Sequence, residues 1–455
     1  MLRRKIYDRL TEWKNREHKP LVIYGQRQVG KTFIIREFAK NEYGNLVAID
    51  FVKNPGAKGF FESDLSVDSI LSRIAVEYPG TEIEPGRTLI LLDEIQECPR
   101  AYTSLKYFKE DGRYDVIATG SMMGVKMPNI KESADTLDVM VPLGYEECVR
   151  MYGLDFEEFL WAKGIGEDIT RMLRDCMRRR EPIDDFILGK IDSYFREFMI
   201  VGGMPEAVSE FVRTGKFTGV RSILGDLDSG CVKDINRYNS GEDIVKTTEC
   251  YESIPDQLSE SNKKFMYSRI RGERSRKAAD AYQENLLWIK AAGYGNFCYA
   301  AKDLSLPLKS NRKSFKVYQS DTGMLVNRYG ENCIKAVYTS RYDYNLGAIA
   351  ENAVAEGLMK SGYVPRYHSV QKGDKRMELD FVVENGDGIC VIEVKSGKDR
   401  SAPSISKADR HYKVAHRMFF EESNIYTDDD GFEHFPLFTA SFFRELEPEW
   451  NGPEL

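Results

Sequence analysis

Over the first 145 residues, short apolar runs alternate with longer stretches whose apolar residues recur every three or four positions. The runs lie at 21–24 (LVIY), 46–51 (LVAIDF), 88–92 (TLILL), 115–119 (DVIAT) and 139–143 (VMVPL), each bounded by polar residues or glycine. Runs of that length predict strands buried on both faces, and the intervening segments, such as 67–78 and 102–110, predict helices. Five strands joined by crossover helices imply a parallel sheet covered on both sides, so the expected fold class is α/β.

From residue 144 to 333 the period becomes helical, in GYEECVRMYG, EDITRMLRDCMRRR, KIDSYFREFMI and DAYQENLLWIKAAGY. A Gly202-Gly203-Met204-Pro205 turn punctuates this region, with Pro205 placed to open a helix. FCYAAKDL and SFKVYQSD follow paired helices as a short hairpin, a pattern that resembles a winged helix. Residues 345–440 return to a mixed pattern: a helix at 348–360, strands at 378–384 and 389–395, and further strands near 424–427 and 437–439. The expected domains are therefore 1–145, 146–335 and 345–440.

The strand at 21–24 runs directly into Gly25, Gln26, Arg27, Gln28, Val29, Gly30, Lys31 and Thr32, a G-x-x-x-x-G-K-[ST] loop ahead of a helix-forming stretch at 33–43. Glycines let backbone N–H groups approach phosphates, and a following helix N-terminus adds positive potential. Lys31 has the length to reach β- and γ-phosphates, and the Thr32 hydroxyl suits Mg²⁺. The expected ligands are ATP and Mg²⁺. The third strand ends in Asp93-Glu94, which supplies a metal-holding acid and a general base for the attacking water. The fourth ends in Thr119-Gly120-Ser121, where Ser121 is placed to orient that water.

Length and composition bound the rest. A chain of 455 residues exceeds what one core supports, and 42% hydrophobic with 30% charged residues is ordinary for a globular protein. A net charge of −7 restricts any nucleic-acid contact to a local patch. The eight cysteines are scattered singly, without metal-ligand spacing, which points to a reducing compartment. The N-terminus is charged throughout, and no apolar run is long enough to span a bilayer. The expectation is a cytoplasmic protein with no membrane contact.

These residues resemble AAA+-type P-loop ATPases, in which the sensor strand lies between the cradle strand and the acid strand. More closely, GQRQVGKT, LLDEIQ, the TGS after the fourth strand, VPLGYEE, GGMPEAV, VYQSDTGM and VIEVKSG resemble, in order, a prokaryotic family. That family couples such an ATPase to a C-terminal domain of unknown function. TGSMMG departs from its pattern, carrying two methionines where small polar residues are usual. The resemblance implies ATP binding and hydrolysis. Stimulated hydrolysis would call on an arginine, with Arg100, Arg113 and Arg150 as candidates, acting within the chain or across a homo-oligomer interface.

Near the C-terminus, Asp380 lies in ELDFVV, and Glu393 and Lys395 in VIEVKSG. If residues 385–388 (NGDG) form a four-residue hairpin loop, Glu384 faces Ile389 and Asp380 comes opposite Glu393. Opposed Cβ atoms lie about 5 Å apart, close enough for two carboxylates to share one Mg²⁺ beside Lys395. The arrangement resembles the PD-(D/E)XK nuclease fold, and Glu351 matches the acid such folds contribute from an early helix as a metal ligand. The plainer alternative is an ion-paired hairpin neutralised by Lys395. The basic run from Lys263 to Lys277 (KKFMYSRIRGERSRK), with Phe265 and Tyr267 interleaved, suits DNA or RNA by phosphate neutralisation and stacking, or is simply a solvated face. Two functions follow: an ATP-hydrolysing switch coupled to a nuclease-like domain, or an ATP-gated interaction protein whose nuclease-like domain is catalytically dead.

Overall fold

The computed structural model describes residues 2–121, 144–271, 276–340, 346–371, 376–397 and 403–449. Contacts divide the chain into two compact units, 3–153 with 291–293, and 154–290 with 294–455.

The first unit holds α1 (Lys5–Lys14), β1 (Leu21–Tyr24), α2 (Lys31–Glu42), β2 (Asn45–Asp50), α3 (Val67–Glu77), β3 (Thr88–Asp93), α4 (Pro99–Asp111), β4 (Asp115–Gly120) and β5 (Glu147–Arg150). All five strands are parallel, in the order β2-β3-β4-β1-β5, so β4 lies between the acid strand and the cradle strand as expected. Alternation sorts the side chains: Val22, Ile90, Leu92, Val116 and Ala118 share a core with Ile70, Ile74, Leu105 and Phe108 from α3 and α4. Leu21, Ile23, Leu89, Leu91 and Ile117, equally buried, take the opposite face. The strand expected at 139–143 lies outside the described residues. The fifth strand is Glu147–Arg150, within a segment whose spacing reads as helix. Its short ECVR run buries only Val149 fully, and pairing with β1 decides it.

The second unit opens with helices α5 (Phe156–Ala162), α6 (Glu167–Arg179), α7 (Asp185–Val201), α8 (Pro205–Thr214), α9 (Phe217–Tyr238), α10 (Glu242–Ser259) and α11 (Arg276–Ala292). Pro205 is the first residue of α8. Strands β6 (Gly295–Ala301) and β7 (Ser310–Gln319), helices α12 (Thr322–Tyr329), α13 (Glu331–Thr339) and α14 (Gly347–Lys360), and strands β8 (Arg366–Val370), β9 (Met377–Asn385) and β10 (Gly388–Val394) follow. The chain closes with α15 (Pro403–His411), β11 (His416–Glu421), β12 (Tyr426–Thr427), β13 (Glu433–Pro436) and a 3₁₀ segment, Leu437–Leu446. The strands make one mixed sheet, ordered β12-β13-β11-β10-β9-β8-β6-β7.

The winged-helix expectation is thus corrected. The β6–β7 hairpin forms one end of the large sheet, because six of the seven residues of β6 are buried and its second edge pairs with β8. A wing would leave one face in water. Helix α14 is buried from Ala348 to Met359, which small residues allow, and it brings Glu351 and Glu356 into the interior.

Candidate nucleotide site and C-terminal carboxylate cluster

The loop after β1 folds only because its glycines sit where side chains cannot. Gly25 has φ +151°, and a Cβ there would meet the Met151 carbonyl oxygen at 2.1 Å. Gly30 (φ +94°) precedes α2 in the left-handed region. Lys31, 6% exposed, folds back so that Nζ donates to the carbonyls of Gly25 and Gln26, both at 2.9 Å. Burial pushes its ammonium down to about 8, against the pull of Glu94 and Asp93, with Arg27 adding to the drop.

The acids at the end of β3 meet this loop. Thr32 Oγ1 lies 2.9 and 3.0 Å from the two Asp93 oxygens, and the Thr119 hydroxyl also donates to Asp93. Burial raises the Asp93 carboxyl, and the two threonines restrain the rise. Glu94 has φ +56°, a conformation that costs a non-glycine residue roughly 1–3 kcal/mol and persists where surroundings enforce it. Here Thr119 Oγ1 accepts from its N–H at 3.1 Å, while Ser121 Oγ lies 2.7 and 2.6 Å from its carboxylate oxygens and Gln96 Nε2 donates to one of them. Burial pushes the Glu94 carboxyl up, but Ser121, Gln96, Lys31 and Arg27 outweigh it and hold the group ionised. Two hard oxygen donors, Thr32 and Asp93, converge beside Lys31, a set that fits Mg²⁺ with few protein ligands. Thr119 and Gln96 were not anticipated. The signal for Thr119 was its place on the strand flanking the acid strand. Among the arginine candidates, Arg100 is bound to the Phe61 and Ser63 carbonyls, Arg113 to Asp111 and Asp68, and Arg150 stacks over Tyr152.

In the second unit the β9–β10 hairpin pairs Asn385 with Gly388 and Glu384 with Ile389. The turn is tighter than the four-residue loop expected, because Asn385 Oδ1 accepts from the N–H groups of Asp387 and Gly388, both at 3.1 Å. The register is nevertheless the expected one, and Asp380 reaches the Val394 N–H at 3.0 Å. Lys395 Nζ lies 3.2 Å from Glu393 Oε1, while Glu393 Oε2 is buried with no hydrogen-bond partner among the described residues. Burial, with Asp380 adding, pushes Glu393 up to about 8; burial, with Glu351 adding, pushes Asp380 up to about 6.

Glu351 behaves differently. It pairs with Lys263, lies 3.6 Å from Lys316 Nζ and accepts from Tyr318 at 3.1 Å. Burial works against its charge, but Lys316 and Lys263 hold the carboxyl below its ordinary range. Lys316, 2% exposed, also stands 3.9 Å from both Glu378 and Asp380. The set expected from the resemblance (Glu351, Asp380 and Glu393 on one metal) does not fit: lysines already claim Glu351. Among the described residues no group of three acids, histidines or cysteines is placed to hold a metal ion. Lys316 was not anticipated, although a lysine between Phe315 and Val317 in an apolar strand was a visible sign of a buried cation.

Three basic residues of the run are occupied internally. Lys263 serves Glu351, Lys264 reaches Ser369 at 2.9 Å, and Arg269 faces Glu260 at 3.5 Å. Phe265 is buried and stacks on Phe315, and Tyr267 packs edge-on against both. Residues 272–275 lie outside the described set. No helix among the described residues is long and apolar enough to cross a membrane.

Residues 17–160, which hold the parallel β2-β3-β4-β1-β5 sheet, this loop and these acids, match the family model of an AAA domain. Residues 192–332 and 346–437 match two domains of unknown function, DUF8612 and DUF4143. An uncharacterised protein of Methanocaldococcus jannaschii is 23% identical over 98% of this chain and 90% of its own length. A Walker-type ATPase of Pyrococcus abyssi has TM-score 0.41 at 14% identity, covering 72% of this chain and 96% of that one. AMPPCP-bound DnaA from Aquifex aeolicus has TM-score 0.28 at 11% identity, covering 62% of this chain and 74% of that one.

Proposed function

We propose that this protein is an ATP-hydrolysing switch whose C-terminal unit binds a partner rather than cutting one. What carries the ATPase half is the convergence of Lys31, Thr32, Asp93 and Glu94 around the one loop after the first strand. The backbone of residues 25–32 grips the triphosphate, and Lys31 exchanges the Gly25 and Gln26 carbonyls for phosphate oxygens. Mg²⁺, held by Thr32 and Asp93, supplies charge neutralisation of the phosphates. Glu94 takes the proton of the attacking water, with Ser121 and Gln96 fixing the carboxylate's direction. Because Arg100 and Arg113 are committed elsewhere, a stimulating cation would come from Arg27 or from a second copy of the chain.

The partner-binding reading of the C-terminal unit rests on Lys263 and Lys316, which supply the positive charge a metal would bring. Magnesium-dependent cleavage of DNA or RNA by Asp380, Glu393 and Lys395 is the second reading, favoured by the unpartnered Glu393 oxygen. One experiment serves both. Purified protein is assayed for phosphate release and for cleavage of single- and double-stranded DNA and RNA, with Mg²⁺ or Mn²⁺. The expectation is ATP turnover lost in Lys31→Ala and no nucleic-acid cleavage. Cleavage abolished by Asp380→Ala would establish the second reading, and silence toward ATP would remove the first.

A further inference from the structure

We infer that Arg4, the fourth residue of the sequence, is a positioning residue for the phosphate-binding loop. The inference rests on the nucleotide reading of that loop and names a residue outside its motif. Arg4 is 7% exposed and caps α1 from an extended conformation. One guanidinium nitrogen donates to the Val29 carbonyl at 3.1 Å and another to the Tyr152 carbonyl at 2.7 Å. Lysine, a point donor, cannot reproduce that fork.

The Val29 contact matters because a peptide unit is planar and trans. Its carbonyl and the next residue's N–H point in opposite directions. Fixing the Val29 oxygen toward Arg4 therefore turns the Gly30 N–H the other way, at the residue whose φ of +94° leads into α2. A cradle of N–H groups works only when its carbonyls are turned outward and satisfied there. Arg4 performs this service for Val29.

The Tyr152 contact ties the same guanidinium to the segment following β5. That segment already meets the loop's first residue: Met151 N–H donates to Tyr24 at 2.7 Å, and the Met151 carbonyl excludes any side chain at Gly25. The stretch 151–152 thus braces the loop at both ends, directly at Gly25 and through Arg4 at Val29. A buried, charge-assisted bond of this kind is worth roughly ten- to a hundredfold in an equilibrium. Its loss is felt by any ligand that uses the cradle, whatever base that ligand carries.

The test compares wild type, Arg4→Met and Arg4→Lys by calorimetry with ATP and with inorganic tripolyphosphate, well below the unfolding midpoint, alongside steady-state turnover. Arg4→Met is expected to weaken both ligands by a similar factor, roughly ten- to a hundredfold, raising KM while kcat moves little. Arg4→Lys is expected to fall between. Glu94→Gln gives the reverse split, losing kcat with binding kept. A purely structural role would lower the midpoint and leave both affinities unchanged, and that result overturns the proposal. If Arg4→Met does not fold, Arg4→Lys decides, since wild-type affinity in that variant also overturns it. Wild-type protein that binds neither ligand removes the nucleotide reading itself, a failure distinct from unchanged affinity in the variants.

Discussion

Lys31 and Lys316 are both nearly inaccessible, at 6% and 2% exposure, yet their ammonium groups are driven in opposite directions. Burial wins at Lys31 and lowers it to about 8. At Lys316 burial pulls the same way, but Glu351, Asp380 and Glu378 outweigh it and hold the group above the usual lysine range. The difference lies in what the acids nearby are doing. Asp93 and Glu94 are satisfied by neutral hydroxyls and an amide, from Thr32, Thr119, Ser121 and Gln96, which orient a carboxylate without cancelling its charge. In the C-terminal cluster Glu351 is balanced by Lys316 and Lys263. The first arrangement leaves charge for an incoming metal–nucleotide complex, and in the second internal cations already answer Glu351.

The sharpest way to break that contrast is at Glu94. If its ionised carboxylate is the base, Glu94→Gln should lower kcat for ATP by two to four orders of magnitude while binding persists. Single-turnover phosphate release measures it directly. Unchanged turnover would make the acids of the two units equivalent bystanders.

Lys316→Met tests the other side. Removing a buried cation from among carboxylates leaves charge uncompensated, and the expected loss of stability is about 3–5 kcal/mol. Chemical denaturation at pH 7 reads it, and a divalent ion should recover part of the loss in the variant while doing nothing for wild type. A variant as stable as wild type would show that Lys316 is not the internal counter-ion.

How much of this could be read from the sequence follows from how local each cause is. The phosphate loop is local: strand, glycines, lysine and helix are contiguous, and four strands of the first sheet were placed to within a residue or so. The register of the β9–β10 hairpin was also legible, because a turn fixes it. The partners of each site were not. Glu351 is reached by Lys316 across 35 positions and by Lys263 across 88, and Thr119 meets Asp93 across 26. The Glu147–Arg150 strand was missed because a four-residue run carries too little periodicity to outvote helical spacing around it. The wing was misassigned because the second edge of β6 is claimed by β8, 67 residues downstream at the pair Tyr299–Arg366.

Glu393 sharpens the contrast within the C-terminal cluster, since one of its oxygens escapes the lysines. Its folded-state value, about 8, lies above the unfolded value near 4.5, so the folded form retains a proton the unfolded chain releases. Stability from this group is therefore greatest below pH 4.5 and is lost as pH rises toward 8. Glu393→Gln should flatten that fall, gaining stability over wild type at pH 8 and nothing near pH 4.5. Denaturation curves between pH 4.5 and 8.5 test it, and parallel slopes in the two proteins would remove Glu393 as the cause.

The smallest effect separates the two lysines most cleanly. Below pH 8 Lys31 is already charged, and ATP meets a ready ammonium, so affinity should be flat. Above pH 8 the free protein has lost that proton, and phosphate binding must restore it. Each further pH unit then costs up to tenfold in affinity, about 1.4 kcal/mol, until the bound form also titrates. Calorimetry at pH 9 in two buffers of different ionisation heat should register proton uptake approaching one per ATP. A Lys31→Arg protein that still binds should show neither the slope nor the uptake, because guanidinium does not deprotonate in this range. Flat affinity through pH 9.5 in wild type would mean that Asp93 and Glu94 hold Lys31 charged as firmly as Glu351 holds Lys316, and the two sites would then differ in ligand geometry alone.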